Sequence, residues 1–221
     1  MTLYNQLNDA LVPHGFILRG GFHLKNDDRK ELGADDQTLI LIGNVGPAFF
    51  RHFSAERPDG PHPMDAWTRQ VLSGFADIFG ARALFPFEGP PYHPFQQWAQ
   101  RCEPVYPSPI GPLIHPKFGL WHAYRGAFLF DSPIDLPAKQ TVAPPCESCT
   151  DKPCLSACPA EAFANGNYDV PACTGHLKSP EGDDCMTLGC RARRACPIGQ
   201  KYVYGPDQAH FHMQKFLANN G

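Results

Sequence analysis

The residues best suited to chemistry are cysteines, and eight of the nine lie between Cys146 and Cys196. They form two groups, each of which ends in a Cys-Pro pair, at Cys158-Pro159 and at Cys196-Pro197. Thiolates are ligands for soft metals, and closely spaced cysteines on a turning loop can converge on one centre. A proline after the last cysteine turns the chain away and removes a backbone N–H donor. The pattern therefore predicts a thiolate metal centre in the C-terminal third of the chain.

The spacing within the two groups resembles that of the bacterial dicluster ferredoxins. The groups read Cys146-x2-Cys149-x4-Cys154-x3-Cys158-Pro and Cys173 followed by Cys185-x4-Cys190-x5-Cys196-Pro. In those ferredoxins three cysteines of one group hold a cubane and the fourth reaches the other cluster. The resemblance thus implies two [4Fe–4S] clusters. By the crossed rule the first is held by Cys146, Cys149, Cys154 and Cys196, and the second by Cys158, Cys173, Cys185 and Cys190.

Structural zinc and disulfides are alternative interpretations of the same cysteines. Zinc sites usually consist of two paired-cysteine knuckles, which two groups ending in Cys-Pro fit poorly. Disulfides are rare in a reducing compartment. Cys102 stands apart from both groups, and we expect it to be a small buried hydrophobic residue.

A second patterned stretch, residues 113–127, reads Leu-Ile-His-Pro-Lys-Phe-Gly-Leu-Trp-His-Ala-Tyr-Arg-Gly-Ala. It resembles the His-Pro-Arg-Phe/Tyr-Gly-Gly-Trp-Phe-Ala-Ile-Arg-Gly segment of the CblC cobalamin-processing proteins, which have a flavin-nitroreductase-like α+β fold. The resemblance implies that His115, Gly119 and Trp121 shape the wall of a cobalamin pocket. It also implies that Arg125 contacts an anionic group or co-substrate. The alternative is that His-Pro and Gly-x-Trp form a strand-entry turn around a buried indole.

The resemblance extends more weakly to residues 11–16 and 44–50. Epoxyqueuosine reductases and reductive dehalogenases are similar in a further respect, since they join a corrinoid-binding domain of this fold to two [4Fe–4S] clusters. In them a lone cysteine follows the first group, as Cys173 does here. This second likeness also implies a corrinoid cofactor, with FMN as the less favoured alternative.

Hydrophobic periodicity and turn residues predict an α+β fold, in which a nitroreductase-like sheet with packed helices is followed by a small Cys-rich, ferredoxin-like domain. A proline-rich linker places the boundary near residue 140, which gives domains over 1–140 and 141–221. Helices are predicted near residues 3–11, 47–53, 64–79, 95–101 and 206–216, and strands near 38–42, 83–87 and 121–130.

The composition argues against some classes of function. Lys and Arg total 19 against 22 Asp and Glu, a net charge of −3, so we expect neither a nucleic-acid partner nor binding to an anionic membrane surface. No apolar run is long enough to span a membrane, and the N-terminus lacks the features of a signal peptide. We therefore expect a cytoplasmic protein that works with a redox partner protein and a small-molecule cofactor or substrate.

Three functional hypotheses follow from these patterns. In the first, an iron–sulfur oxidoreductase passes electrons from its clusters to cobalamin bound by the N-terminal domain, for cobalamin processing or reductive chemistry. In the second, a ferredoxin-like electron carrier uses that domain only to dock a partner enzyme. In the third, the N-terminal domain holds flavin.

Overall fold

The computed structural model describes residues 1–32 and 37–221. Within these ranges the α-helices are Leu3–Leu11 (α1), Asn26–Leu32 (α2), Ala48–Ala55 (α3), Pro63–Phe79 (α4), Phe95–Cys102 (α5), Pro145–Ser148 (α6), Pro153–Ser156 (α7), Val170–Leu177 (α8), Asp183–Leu188 (α9), Arg191–Arg194 (α10) and Pro206–Asn220 (α11). The strands are Ile17–His23 (β1), Thr38–Val45 (β2), Arg82–Leu84 (β3), Tyr106–Pro107 (β4), Leu113–Ile114 (β5) and His122–Phe130 (β6).

The chain divides into two compact units. Met1–Pro104 and His122–Thr141 form the first, which we call the sheet unit, and Val105–Trp121 and Val142–Gly221 form the second, the cysteine unit. The chain passes between the units after residues 104, 121 and 141, whereas the sequence predicts a single boundary near residue 140. The structure differs from that prediction in assigning Val105–Trp121 to the cysteine unit.

The sheet unit is built on four antiparallel strands in the order β1-β2-β6-β3. Its central strand β2 contains the apolar run Leu39, Ile40, Leu41 and Ile42, and all four side chains have no solvent exposure. A continuous apolar run of this kind is typical of a strand covered on both faces. The predicted strand near residues 38–42 is therefore present, and it continues to Val45.

An aromatic core beneath the sheet is organised by Trp67 of α4. The Trp67 ring stacks on Phe16 at 5.5 Å between centroids and meets Phe49 edge-on at 5.3 Å. Its Nε1–H donates a hydrogen bond to Glu56 Oε2 at 2.9 Å, so the indole has a polar partner as well as apolar neighbours. Helix α4 is capped at its C-terminus by Gly80, whose φ of +65° is the left-handed conformation that glycine adopts readily.

Two elements of the sheet unit, β1 and α2, were not predicted from the sequence. Strand β1 contains Gly20 and Gly21, and its pairing with β2 is interrupted by a bulge between Leu18 and Gly21. Gly20 has a φ of +78°, and a Cβ there would lie 2.8 Å from the carbonyl oxygen of Cys102. The close approach of α5 explains the glycine, and the glycine pair conceals the strand's alternating pattern.

A buried ion pair crosses the same region of the sheet unit. Arg19 Nη2 lies 2.7 Å from Glu103 Oε1, and the Tyr124 hydroxyl donates to that oxygen at 2.6 Å. Burial is the main cause that raises the pKa of Tyr124 above its ordinary value. Cys102 is 5% exposed, and burial raises the pKa of its thiol to about 12. It lies in this core as the small buried residue that the sequence predicts.

The cysteine unit consists of short helices packed around a small apolar core. Ile110, Ile114 and Leu120, from the segment Val105–Trp121, pack in this core with Phe163 and Ala192. The same core includes Cys154 and Cys196. The buried apolar side chains of Val105–Trp121 thus explain why this segment belongs to the cysteine unit.

Candidate iron–sulfur centres

Four thiols from both Cys-Pro groups lie close enough for their charges to interact: Cys146, Cys149, Cys154 and Cys196. The one-turn helices α6 and α7 carry two of them, and both helices begin at a proline. Lys152, with a φ of +39°, turns the chain sharply before α7. Burial first, and the neighbouring thiols second, raise the pKa of Cys146 and of Cys154.

The other four thiols form a second group: Cys158, Cys173, Cys185 and Cys190. Helix α8, which carries Cys173, is capped at its N-terminus by Asp169, whose Oδ1 accepts a hydrogen bond from the N–H of Ala172 at 2.9 Å. Helix α9 carries Cys185 and is capped at its C-terminus by Gly189, which has a φ of +86°. The structure thus gathers the eight thiols into the two crossed sets that the resemblance implies.

A cavity of about 410 Å³ lies among the thiols of the second group. Its other walls are mainly apolar and include Ile110, Phe163, Leu177 and Phe216. Burial is the largest cause that raises the pKa of Cys173 and of Cys190. Thiols in such a place become thiolates most readily when a cationic centre compensates their charge.

The donor set and the cavity fit a cubane. All nine cysteines fall within the described ranges, and all are free thiols. In residues 1–32 and 37–221 no three His, Cys, Asp or Glu side chains are grouped so as to hold a single metal ion. A [4Fe–4S] cluster takes four thiolates, one for each iron, so its ligands surround a cluster-sized space. Four thiols around one apolar cavity meet that requirement.

The structure places three of the predicted cofactor-pocket residues in the cysteine unit. His115 Nδ1 accepts hydrogen bonds from the N–H groups of Lys117 at 3.0 Å and Phe118 at 3.3 Å, which closes a tight turn. Gly119 has a φ of +59° and lies against the backbone of Ile198. Both residues therefore have structural roles in a turn at the entry to β6.

Trp121, the third of these residues, is 3% exposed. The Arg193 guanidinium lies 4.6 Å from its ring centroid, and the Tyr204 ring meets it edge-on at 5.3 Å. Its Nε1–H is buried without a hydrogen-bond partner. The turn and the buried indole correspond to the strand-entry alternative considered from the sequence.

Arg125 belongs to the sheet unit, unlike the other three predicted pocket residues. Its Nε donates a hydrogen bond to Asn44 Oδ1 at 2.7 Å, and its guanidinium lies 4.4 Å from the ring centroid of Phe49. Asn44 is fully buried, and its Nδ2 has no hydrogen-bond partner. The structure therefore brings together two segments that carry the resemblance to the CblC proteins, residues 44–50 and the strand containing Arg125.

Sequence reasoning missed two polar residues that line the cavity, Tyr168 and His176. Tyr168 contributes a side-chain hydrogen bond that favours the thiolate of Cys173. His176 follows Cys173 by three residues in α8, so the two side chains share a helix face. The spacing Cys-x2-His was the available signal, but a histidine inside a cysteine-rich segment has many possible roles.

Comparison with known proteins yields matches of structure alone. No family model and no curated protein matches the chain. The chain is similar to an epoxyqueuosine reductase crystallised with a tRNA-Tyr epoxyqueuosine-modified tRNA stem loop, at 15% identity and a TM-score of 0.54, covering 94% of this chain and 70% of that one. It is also similar to a selenomethionine-labelled epoxyqueuosine reductase (15%, TM-score 0.52, covering 94% and 69%) and to the epoxyqueuosine reductase of Streptococcus thermophilus (14%, TM-score 0.53, covering 95% and 70%). The α+β prediction is confirmed, and the chain has the fold of the epoxyqueuosine reductases.

One expectation from the sequence is corrected by this comparison. The net charge argued against a nucleic-acid partner, yet a protein of the same fold is crystallised with a tRNA stem loop. Exclusion of nucleic acid is therefore wrong, because net charge averages over the whole surface. For the membrane, none of the helices in the described residues is both long and apolar enough to cross a bilayer.

Proposed function

We propose that this chain is an iron–sulfur oxidoreductase that transfers electrons through two [4Fe–4S] clusters. The supporting observation is the gathering of eight thiols into two sets of four, each with one member from the other Cys-Pro group. Cys196 joins the first set and Cys158 joins the second. This exchange is the ligand arrangement of dicluster ferredoxins.

The residues around the thiols have defined tasks in this proposal. The exchanged cysteines tie the two Cys-Pro loops together, so cluster binding also stabilises the fold of the cysteine unit. Apolar residues such as Phe163 and Leu177 keep water from the second site. Hydrogen bonds to the ligand sulfurs, such as that from Tyr168 to Cys173, favour the charged thiolate.

We further propose that the electron acceptor is a corrinoid bound by the sheet unit. A corrinoid supplies a metal that undergoes one-electron reduction. Arg125 supplies a half-buried positive charge of the kind that attracts a phosphate, and the Nδ2 of Asn44 has no hydrogen-bond partner among the described residues. The support is the resemblance of residues 44–50 and 113–127 to the CblC proteins, together with the contact of Arg125 with Asn44 and Phe49.

A second candidate function is reduction of a modified nucleoside in tRNA. The observation that favours it is the likeness to the epoxyqueuosine reductase crystallised with a modified tRNA stem loop. In this case, the electrons from the clusters would reach a base presented by the RNA. Both candidates require the clusters, so they share the first experiment below. The cytoplasmic location remains a prediction.

Anaerobic reconstitution tests the clusters. We expect about eight iron and eight sulfide per chain, with broad absorption near 400 nm that dithionite bleaches. Zinc at stoichiometric levels without iron uptake would refute the proposal. About four iron per chain would show that only one of the thiol sets binds a cluster.

Titration with cob(II)alamin tests the corrinoid. We expect a change in its visible spectrum on binding, and weaker binding for Arg125→Ala. Arg82→Ala is the control, since Arg82 is an exposed arginine in strand β3 of the same unit. If the reconstituted protein causes neither a spectral change nor heat in calorimetry, the corrinoid is not the acceptor, and the plain electron carrier becomes the better account. FMN tested in the same way separates the flavin alternative.

Binding of a labelled tRNA stem loop tests the second candidate. An RNA duplex of equal length is the control, because both RNAs carry similar backbone charge. Tighter binding of the stem loop by about tenfold would support recognition of unpaired bases. Equal, weak and salt-sensitive binding of both RNAs would show nonspecific attraction only and reject this candidate.

A further inference from the structure

The wall of the cavity beside the second thiol group includes a histidine nitrogen for which the described residues provide no hydrogen-bond partner. His176 lines this cavity, and its Nε2 is buried and has no hydrogen-bond partner among the described residues. A buried polar atom without a partner is costly, by about 1–3 kcal/mol in general. Such an atom on a cavity wall indicates that its partner is the group that fills the cavity.

His176 lies on the same helix as one of the proposed cluster ligands. It lies three residues after Cys173 in helix α8, and residues at this spacing lie on one face of a helix. Cys173 is a member of the second thiol set, and both residues line the cavity. The helix therefore presents a thiol and an imidazole to the same space.

Three other polar residues on the cavity wall are engaged by their neighbours. Arg191 is paired with Asp184 at 2.6 Å, and Arg193 donates from Nε to the carbonyl oxygen of Leu120 at 3.1 Å. Tyr168 is engaged with Cys173. His176 Nε2 is thus available to the occupant of the cavity, whereas these three groups are already used. A second histidine on the wall, His212, packs its ring against Tyr204 at 5.7 Å and Phe211 at 5.6 Å between centroids, and it lies on α11, which carries no cysteine.

We propose that His176 donates an Nε2–H hydrogen bond to a sulfur atom of the second [4Fe–4S] cluster and thereby raises its reduction potential. This inference rests on the proposed function, since it requires a cluster in the cavity. Reduction adds one negative charge to the cluster, so a hydrogen-bond donor stabilises the reduced form more than the oxidised form. Hydrogen bonds to cluster sulfurs are among the factors that set such potentials.

The proposal makes His176 a positioning and tuning residue, and its test is a potential. We expect loss of the donor to lower the ratio of reduced to oxidised second cluster about tenfold at a given solution potential. For a one-electron couple, a factor of ten corresponds to about 59 mV, in the negative direction. The first cluster, held by the other thiols, should keep its potential.

The experiment uses the full chain reconstituted with iron and sulfide, followed by redox titration with detection by electron paramagnetic resonance. The variants are His176→Leu, which removes the donor, and His176→Gln, which keeps an N–H. His210→Leu is the matched control, because His210 is an exposed histidine of the same unit whose Nδ1 lies 3.0 Å from the Met186 carbonyl oxygen. The signal lost in Cys190→Ser identifies the second cluster.

Each outcome of the titration either supports or overturns the hydrogen bond from His176. A negative shift of the second cluster in His176→Leu, a smaller shift in His176→Gln and none in His210→Leu would support the hydrogen bond. Full iron content with an unchanged potential in His176→Leu would overturn it, and so would loss of iron in His176→Gln, which would indicate a ligand. Absence of clusters from the unmodified protein would instead refute the proposed function, so the two failures are distinguishable.

Discussion

Gly119→Ala should destabilise the cysteine unit strongly, although Gly119 is not a ligand. A Cβ at this position would lie 2.0 Å from the carbonyl oxygen and 2.7 Å from the carbonyl carbon of Ile198. Both atoms are backbone, so they cannot move aside as a flexible side chain could. The φ of +59° adds strain for any residue with a Cβ.

The magnitude follows from these two contributions. A residue with a Cβ in the left-handed conformation costs about 1–2 kcal/mol. Overpacking costs about 1–3 kcal/mol more, which gives a total of about 2–5 kcal/mol. The effect should reach the first cluster, because the N–H of Ile198 is hydrogen-bonded to the Cys196 thiol. Displacement of Ile198 would disturb that ligand.

The assay is bleaching of the absorption near 400 nm during urea titration of the reconstituted protein. With a urea dependence of about 2 kcal/mol per molar, the midpoint should fall by roughly 1–2.5 M. Gly166→Ala is the matched control, since Gly166 has a similar φ of +74° but no atom within 4 Å of its Cβ position. It should show the backbone strain alone. Equal midpoints for Gly119→Ala and the unmodified protein would refute the packing described for this turn.

Three further predictions concern other parts of the chain. Cys190→Ser should lose about four of eight iron, whereas Cys102→Ser should lose none, as measured by iron analysis after reconstitution, because a hydroxyl is a poor ligand for a soft metal. Glu103→Gln removes the negative charge that pairs with the buried Arg19, so it should lower the free energy of unfolding of the sheet unit by about 3–5 kcal/mol in chemical denaturation. Loss of iron in this variant would contradict the assignment of Glu103 to the sheet unit. Gly74→Ala should stabilise the sheet unit by about 0.5–1 kcal/mol in the same assay, since Gly74 is an exposed residue inside α4 with open space at its Cβ position. A less stable variant would contradict the open space found at that position.

The sequence predicted those helices and strands whose buried apolar residues follow a regular local pattern. Helix α4 was predicted because its apolar residues recur at helical spacing, and β2 because its apolar run is continuous. Strand β1 was missed because its two glycines serve close contacts with segments distant in sequence, Gly20 with Cys102 of α5 and Gly21 with Leu39 of β2. A residue selected for a long-range contact carries no periodic signal of its own.

The placement of Val105–Trp121 could not be predicted for the same reason. This segment lies between α5 and β6 in sequence, both of which belong to the sheet unit, so continuity favoured that unit. Its true partners come much later in the chain, where a Cβ added to Gly199 would lie 2.3 Å from the carbonyl oxygen of Phe118. The roles of His115, Gly119 and Trp121 in a cofactor pocket were implied by the resemblance to the CblC proteins, which treats this segment and β6 as parts of one domain.

The expectation against nucleic acid shows a different limit of sequence reasoning. A net charge of −3 argues only against strong attraction to the phosphate backbone, which depends on many cations gathered on one surface. Recognition of unpaired or extruded bases depends instead on aromatic stacking and hydrogen bonds within a pocket, and a few residues suffice for it. Overall charge cannot report on such a pocket, because those few residues contribute little to the sum. A stem loop that binds with weak dependence on salt, and more tightly than a duplex, would therefore be the signature to expect if this chain acts on RNA.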